Sequence, residues 1–527
     1  MDKVLAVIAV IAYTAVLAFV AVRARVAREF VEFSLARRAL PLALVFGSIA
    51  AAYVGPGFSI GFVGRGFKSG FLFWGVGLAY AVQNILVGIL VAPRLRSLKD
   101  CHTLGDAIGQ KYDRKCQILA GVISVGLCTG FSAVMANAGG VVLSNIFGFP
   151  NWVSVAIVVA ATASYTTFGG LRTSVITDAF QFTVFSILLP IVLLLAILFH
   201  LDGGAVTFIR QASVATAAGL SSTSTVEIVG LVAAFLLGET LIPPYANRAL
   251  ASKTTRVSRN SFILAGIFSA VWFMVMISLG VVARSILPSA TNEDHVLLNL
   301  VKSIMPVGLK PAFGGALLLV VLMSVIMSSL DSLLNAGAVA FAEDVVKPIL
   351  VVPHQLFLIE RASPQQQKVP TSDINWCGNT QYENGLPDRT ALNVGRCATV
   401  GIAIVAAAGA TAVPSIIKGL LICYTIWAPA ILPVAVIGLW VKHPRPLAGI
   451  LSMCVGTFVA ITFQFILPSV IKVLAIIPTL QCIISSVIKV PAIIPALGSA
   501  VLAYVLGYWL SCHSRESGNK VECEGWK

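Results

Sequence analysis

The stretch "AAYVGPGFSIG", Ala51 to Gly61, decides how the rest of the chain is read. It lies within an apolar run, 41–62, long enough to cross a bilayer, yet Gly55-Pro56-Gly57 stands at its middle. Glycine is a poor helix former, and proline removes a backbone donor and clashes with the preceding turn. In hydrocarbon each orphaned peptide group costs several kcal/mol, so irregular backbone persists at that depth only where it lines a polar cavity. The interruption therefore predicts a site inside the membrane.

Composition agrees with a membrane setting. Of 527 residues, 58% are hydrophobic and 11% charged, with mean hydropathy +0.93, whereas soluble domains carry about 25% charged residues. Apolar stretches of the length that spans about 30 Å of hydrocarbon recur from end to end. Thirteen spans are read, at 4–22, 41–62, 70–92, 116–145, 150–168, 175–200, 225–246, 261–285, 311–340, 397–412, 416–440, 446–467 and 489–511. The first lacks the basic leader and the cleavage site of a signal peptide and is kept as a span. Segment 468–488, with Lys472 and Pro478, is read as re-entrant or interfacial.

The net charge of +14 is topogenic. Most Lys and Arg fall in alternate loops, among them Arg23, Arg37, Arg38, Arg94, Arg96, Arg172, Arg248, Lys253, Lys347 and Lys442. Basic loops stay inside, so the N-terminus is expected outside and the C-terminus in the cytoplasm, in a plasma (inner) membrane. Nucleic acid is excluded as the reason for the charge. The ten cysteines lie mostly in spans or inner loops and are read as free thiols. No metal-ligand spacing, catalytic triad or phosphate-binding loop occurs, so no catalytic residue and no cofactor are expected.

A second interrupted run lies five spans after the first. Span seven holds "LLGETLIPPYANR", with Gly238, Pro243 and Pro244. Five is odd, so two consecutive five-helix units with matching breaks cross the membrane in opposite senses. Interrupted spans at corresponding places in two halves point to a transporter binding site. The organisation expected is a leading span and inner loop (1–40), a first repeat (41–200), a second repeat (225–440) with a flexible inner loop at 350–396, and further helices with a polar tail (441–527).

Ionisable groups at membrane depth cost at least about 2.5–3.5 kcal/mol and are functional by default. Three acids qualify: Asp178 near the start of span six, Glu239 beside the second break, and Asp331 deep in span nine. Ser328 and Ser329 lie one turn from Asp331; adjacent hydroxyls with carbonyls freed at a helix break suit a desolvated Na⁺. At the first break the chain offers Tyr53, Pro56 and Phe58. Aromatic faces attract quaternary ammonium groups at about 0.5–2 kcal/mol per contact. Tyr53, Phe131, Tyr424 and Trp427 are candidates for such a wall, with Glu239 as counter-charge.

The stretches "YTTFGGLRTSVITDAFQF" (165–182), "PPYANRALASKTTRVSRNSFILAG" (243–266) and "MSSLDSLLNAGAVAFAEDVVK" (327–347) resemble the signature regions of the sodium:solute symporter family. The first break and the Asp after "MSS" look most like the high-affinity choline transporter branch. The resemblance implies an all-α, leucine-transporter-like fold of five plus five inverted helices, with one helix ahead and others behind. It implies a Na⁺ site built from the carbonyls of Ala51, Val54 and Val325 and the hydroxyls of Ser328 and Ser329, with a second cation between Asp178 and Asp331. Arg248 matches the family's basic residue closing span seven, with a structural or gating role. The expected partners are a small organic solute, Na⁺ as coupling ion and the lipid bilayer, and the mechanism is alternating access. The competing readings are a proton-coupled carrier titrating Glu239 or Asp331, and a membrane ligand sensor on the same fold.

Overall fold

The structure is a computed structural model. It describes residues 3–24, 27–201, 203–288, 291–304, 311–350, 387–467 and 491–513. The described residues are helical or in short turns, and the one bridge, Leu40 with Ser252, stands alone. Nine described helices are long and apolar enough to cross a membrane, or eleven where each of two bent pairs is one span.

Span two is broken as its sequence predicts. Helix Leu42–Tyr53 ends, and a second segment, Gly57–Ser69, continues at 58° to it. Pro56 cannot donate back to the first helix, and Val54 N–H to Ala50 O (3.1 Å) is the last amide to return there. Beyond the break Phe58 and Ser59 both donate to Gly55 O at 3.0 Å, starting a wide turn over Gly57–Gly61. The span runs past the expected limit at 62, because Arg65 and Lys68 find Glu293 (3.3 and 2.6 Å) at its far end.

Span seven breaks too. Helix Thr225–Leu237 stops, residues 238–242 are irregular, and Pro243–Ala251 forms a short helix with proline in its first turn. Leu241 turns the chain at φ +52°, a value uncommon outside glycine.

Spans five and six form one helical run, Asn151–His200, interrupted at Gly170 (φ +63°, ψ −166°). At 1.5 Å per residue the run is over twice the thickness of the hydrocarbon, so the interruption divides it. Only glycine fits: a Cβ there would lie 2.6 Å from Phe33 Cα, on the short helix Phe30–Leu35. Span nine is Pro311–Ala340, continuing as a wide turn to Val346. Span ten begins earlier than expected: the final residues of the loop placed at 350–396 are helical, in Asp388–Ala410, and Asp388 accepts from Phe30 N–H at 2.8 Å. The segment read as re-entrant, 468–488, lies outside the described residues, as do 351–386 and the tail from 514.

One end of the bundle holds a group of basic residues, among them Arg38, Arg96 and Lys253. Leu40 N–H donates to Ala251 O (3.2 Å) and Lys253 N–H to Leu40 O (2.9 Å), so span two starts where the short helix of span seven ends. Arg96 donates to Ser252 O (2.5 Å), and Arg38 to Leu98 O (2.8 Å). Span nine finishes at the same end, where Thr103 donates to Asp344 (2.5 Å). From this basic end, spans two and six run away, while the short helix of span seven and span nine run toward it.

Candidate functional site

The two interrupted spans meet span nine at depth. A Cβ at Gly55 would lie 2.6 Å from Ser329 Oγ, so the first break presses directly against the paired serines. Ser329 donates to Val325 O (3.3 Å), and Val54 O accepts from Ser59 (2.6 Å). Val54 O keeps a second lone pair, whereas Val325 O, inside the helix Pro311–Ala340, also takes the helical amide four residues on. Ala51, Val54, Val325, Ser328 and Ser329 are all buried. The structure thus brings the break and the serines of the expected ion site side by side.

Ser328 has a second duty. Its hydroxyl donates to Asp178 Oδ1 (2.6 Å), leaving its own oxygen lone pairs free to accept. Asp178 is fully buried and also accepts from Ser48 (2.5 Å), Ser332 (3.3 Å) and Arg248 (2.7 Å). Arg248, placed in an inner loop by sequence reasoning, is instead fully buried, because a carboxylate and three oxygens await it one turn beyond Pro244. Asp178 and Asp331, expected to hold a second cation, differ in their protein partners. Asp178 already has its cation, in Arg248. Asp331 is held by hydroxyls alone, Thr166 (2.8 Å) and Thr177 (3.3 Å), and no ion pair involves it among the described residues.

At the second break Glu239 sits in a ring of phenols. Tyr424 donates to Oε1 (2.8 Å), Tyr245 to Oε2 (3.0 Å) and Tyr80 also to Oε2. Aromatic rings continue outward from these: Tyr53 meets Tyr245 edge-on (4.1 Å between centroids) and Tyr80 (5.4 Å), Phe58 stacks on Tyr80 (4.4 Å), and Phe131 lies 5.7 Å from Tyr424. Pro56 opens the wide turn that carries Phe58. Trp427 donates to Thr240 O (2.9 Å) and pins the irregular backbone next to Glu239. Of the expected aromatic residues, Tyr424 bonds the carboxylate itself, while Tyr53, Phe58 and Phe131 pack against the rings of its phenol donors. Tyr80 and Tyr245 were not singled out in the sequence: Tyr80 lies within an uninterrupted apolar span, and Tyr245 stands in the quoted stretch of span seven, directly after Pro244.

The family model described as "Sodium:solute symporter family" matches residues 33–354, well over half of the chain. The chain belongs to the sodium:solute symporter family. It is an integral membrane protein of that family, with both breaks and span nine inside the matched region. A curated relative, the sodium/pantothenate symporter of Haemophilus influenzae, is 24% identical over 250 residues, which is 46% of this chain. The chain spans about half the length of that relative.

Among solved structures, a Na⁺-coupled sialic acid symporter in a substrate-bound outward-open state is similar at TM-score 0.75 and 14% identity, covering 96% of this chain and 98% of the other. Its description reports a novel Na⁺ site. The nucleobase-cation-symport-1 family transporter MHP1, closed on bromovinylhydantoin, is similar at TM-score 0.53 and 12% identity, covering 92% and 95%. The fold is the expected all-helical, leucine-transporter-like arrangement.

Proposed function

We propose that this family member is a sodium-coupled symporter that imports a small organic solute bearing an ammonium group, quaternary or zwitterionic. The observation that carries the reading is the contact of Ser329 with the break at Gly55, which sets its hydroxyl against the break, with Ser328 adjacent in the chain. Na⁺ would be ligated by the carbonyls of Ala51, Val54 and Val325 and the hydroxyls of Ser328 and Ser329. Five neutral oxygens suit an ion that must be bound and then released. The solute would lie against Tyr53, Pro56, Phe58, Phe131, Tyr424 and Trp427, with Glu239 opposite its charge. A carboxylate at depth, given three phenol donors and no basic partner among the described residues, favours a cationic occupant. Ion and solute would each raise the other's affinity, and the gradient would do the work. In the membrane the N-terminus would face out and the basic end the cytoplasm.

A proton-coupled carrier is the second reading. Asp331 favours it, as a buried acid with hydroxyl partners only. Uptake into proteoliposomes at fixed pH, with Na⁺ replaced by Li⁺ or K⁺, separates the two. Sodium-dependent accumulation supports symport with Na⁺; accumulation that ignores Na⁺ and follows a pH gradient rejects it. A screen of ammonium and neutral solutes by thermal shift, with and without Na⁺, then tests the solute class, because a true substrate stabilises by mass action.

A further inference from the structure

Span three finishes at the basic end of the bundle, where Arg96 reaches Ser252 O, and there a neighbouring side chain joins it to span eleven. Arg94 lies over the indole of Trp440, its Cζ 3.6 Å from the ring centroid. Trp440 is the last residue of the helix Ile416–Trp440, and half of it is exposed. The two spans joined in this way are the ones that present Tyr80 and Tyr424 to Glu239.

Arg94 is held in place without being used up. One of its five N–H donors goes to Leu90 O (2.6 Å), and its side chain makes no other hydrogen bond and no ion pair among the described residues. The fork of a guanidinium matches phosphate oxygens two at a time, and stacking on a ring fixes its plane before any ligand arrives. Loose lysines and arginines, which topology alone puts at this end, lack that preparation. The charge close by in the chain has one sign. The stretch "WVKHPRP" (440–446) supplies exposed Lys442 and half-buried Arg445, and 92–99 supplies Arg96 and Lys99, with no acid in either.

A lane of aliphatic side chains leads to the same arginine. Val82, Leu86, Ile89 and Leu90 are exposed along span three, three or four residues apart, and Arg94 follows Leu90 by four. Its bond back to Leu90 O sets the guanidinium at the foot of the lane. An occupant that satisfies both parts carries anionic oxygens at one end and a long apolar chain at the other.

We infer that this face binds an anionic phospholipid from the leaflet at the basic end. Its phosphate would sit on Arg94 and near Lys442, an acyl chain would follow Leu90, Leu86 and Val82, and the Trp440 ring would lie at the level of the glycerol. One lipid would then touch spans three and eleven together and stabilise the folded protein by mass action. The inference goes beyond the proposed transport and needs neither the ion nor the solute.

The test uses full-length protein in detergent, stripped of lipid, and reads the melting temperature against added phosphatidylglycerol or phosphatidylcholine of the same acyl chains. Phosphatidylglycerol is expected to give half of its effect at a concentration about fivefold or more below that of phosphatidylcholine. Arg94→Gln should abolish the preference and Lys442→Gln should reduce it. Arg256→Gln, which removes an exposed charge from another helix, should leave it intact. Equal effects of the two lipids overturn the site, as does a preference that survives Arg94→Gln. Loss of the preference in Arg256→Gln reduces it to overall charge and overturns it too. Glycerol phosphate and inorganic phosphate should leave the melt unchanged; a matching rise with either alone makes this a small-anion site and sinks the lipid. Should Arg94→Gln fail to fold, Trp440→Leu removes the stacking platform in its place and must weaken the preference.

Discussion

Asp178 and Glu239 are both buried carboxylates at membrane depth, each beside a broken span, and they are treated in opposite ways. Asp178 is neutralised by Arg248 and further held by Ser48, Ser328 and Ser332. Glu239 receives three phenol hydrogens and no basic side chain among the described residues. Hydrogen bonds orient a carboxylate but leave its net charge in place, whereas a guanidinium cancels it. The first acid is therefore fitted to hold helices together; in the function proposed above, the second receives a positive charge from outside the protein.

The sharpest way to break this contrast is to remove a cation from one acid. Arg248→Gln leaves Asp178 buried and unpaired, and is expected to cost about 3–5 kcal/mol in stability. Chemical denaturation of the purified protein measures it. Adding Asp178→Asn should recover most of the loss, since the uncompensated charge goes with it. A lone Arg248→Gln as stable as the parent would show that the pair is not closed against solvent.

The complementary change is at Glu239. Glu239→Gln keeps the shape of the side chain and leaves the fold intact, but weakens an ammonium solute by about tenfold to a hundredfold, the range for losing a charged hydrogen-bonding partner. A neutral solute of the same shape should be unaffected. Equal weakening of both would reduce Glu239 to a packing role.

Ser329→Ala tests the ion side with a smaller effect. The Na⁺ concentration that gives half of the thermal stabilisation should rise about tenfold, equivalent to about 1.4 kcal/mol. Melting in K⁺ should hardly change, because Ser329 donates only to Val325 within its own helix.

A third acid, outside the spans, gives the smallest effect and a sign that can be checked. Asp106, on the short helix Leu104–Lys111, is pushed up from 3.8 to about 7, first by burial and then by the charge of Glu343. The backbone N–H of His102 and the charges of Lys347 and Arg38 pull the other way. The folded state thus binds this proton more tightly than the unfolded chain does. Its contribution is fully present below about 4 and is lost as pH rises through about 7. Asp106→Asn should flatten stability between those values, read from melts across that pH range; an unchanged pH slope would place the proton elsewhere.

Much of this was legible in the sequence. Gly55-Pro56-Gly57 and Pro243-Pro244 announce their breaks because proline and glycine act on the backbone locally, whatever surrounds them. Many span limits were readable from hydropathy, but the helix Gly204–Ser222 was not expected, and span two runs on to where Lys68 meets Glu293. The division between spans five and six was placed at 169–174, around Gly170, but the need for glycine there was not readable, since it comes from Phe33, far away in the chain. Arg248 was misplaced for the same reason. A lone arginine after a proline-rich turn reads as a loop cation, and nothing in its neighbours reveals the carboxylate 70 residues earlier.

By itself the sequence determined that the chain lives in a bilayer, where two of its crossings are interrupted, and which acids lie too deep to be incidental. These follow from backbone chemistry and solvation, which act residue by residue. Only the tertiary structure decided which acid has a cation of its own and which has phenols alone. Charge compensation depends on distances of a few ångströms between segments that the chain separates by scores of residues.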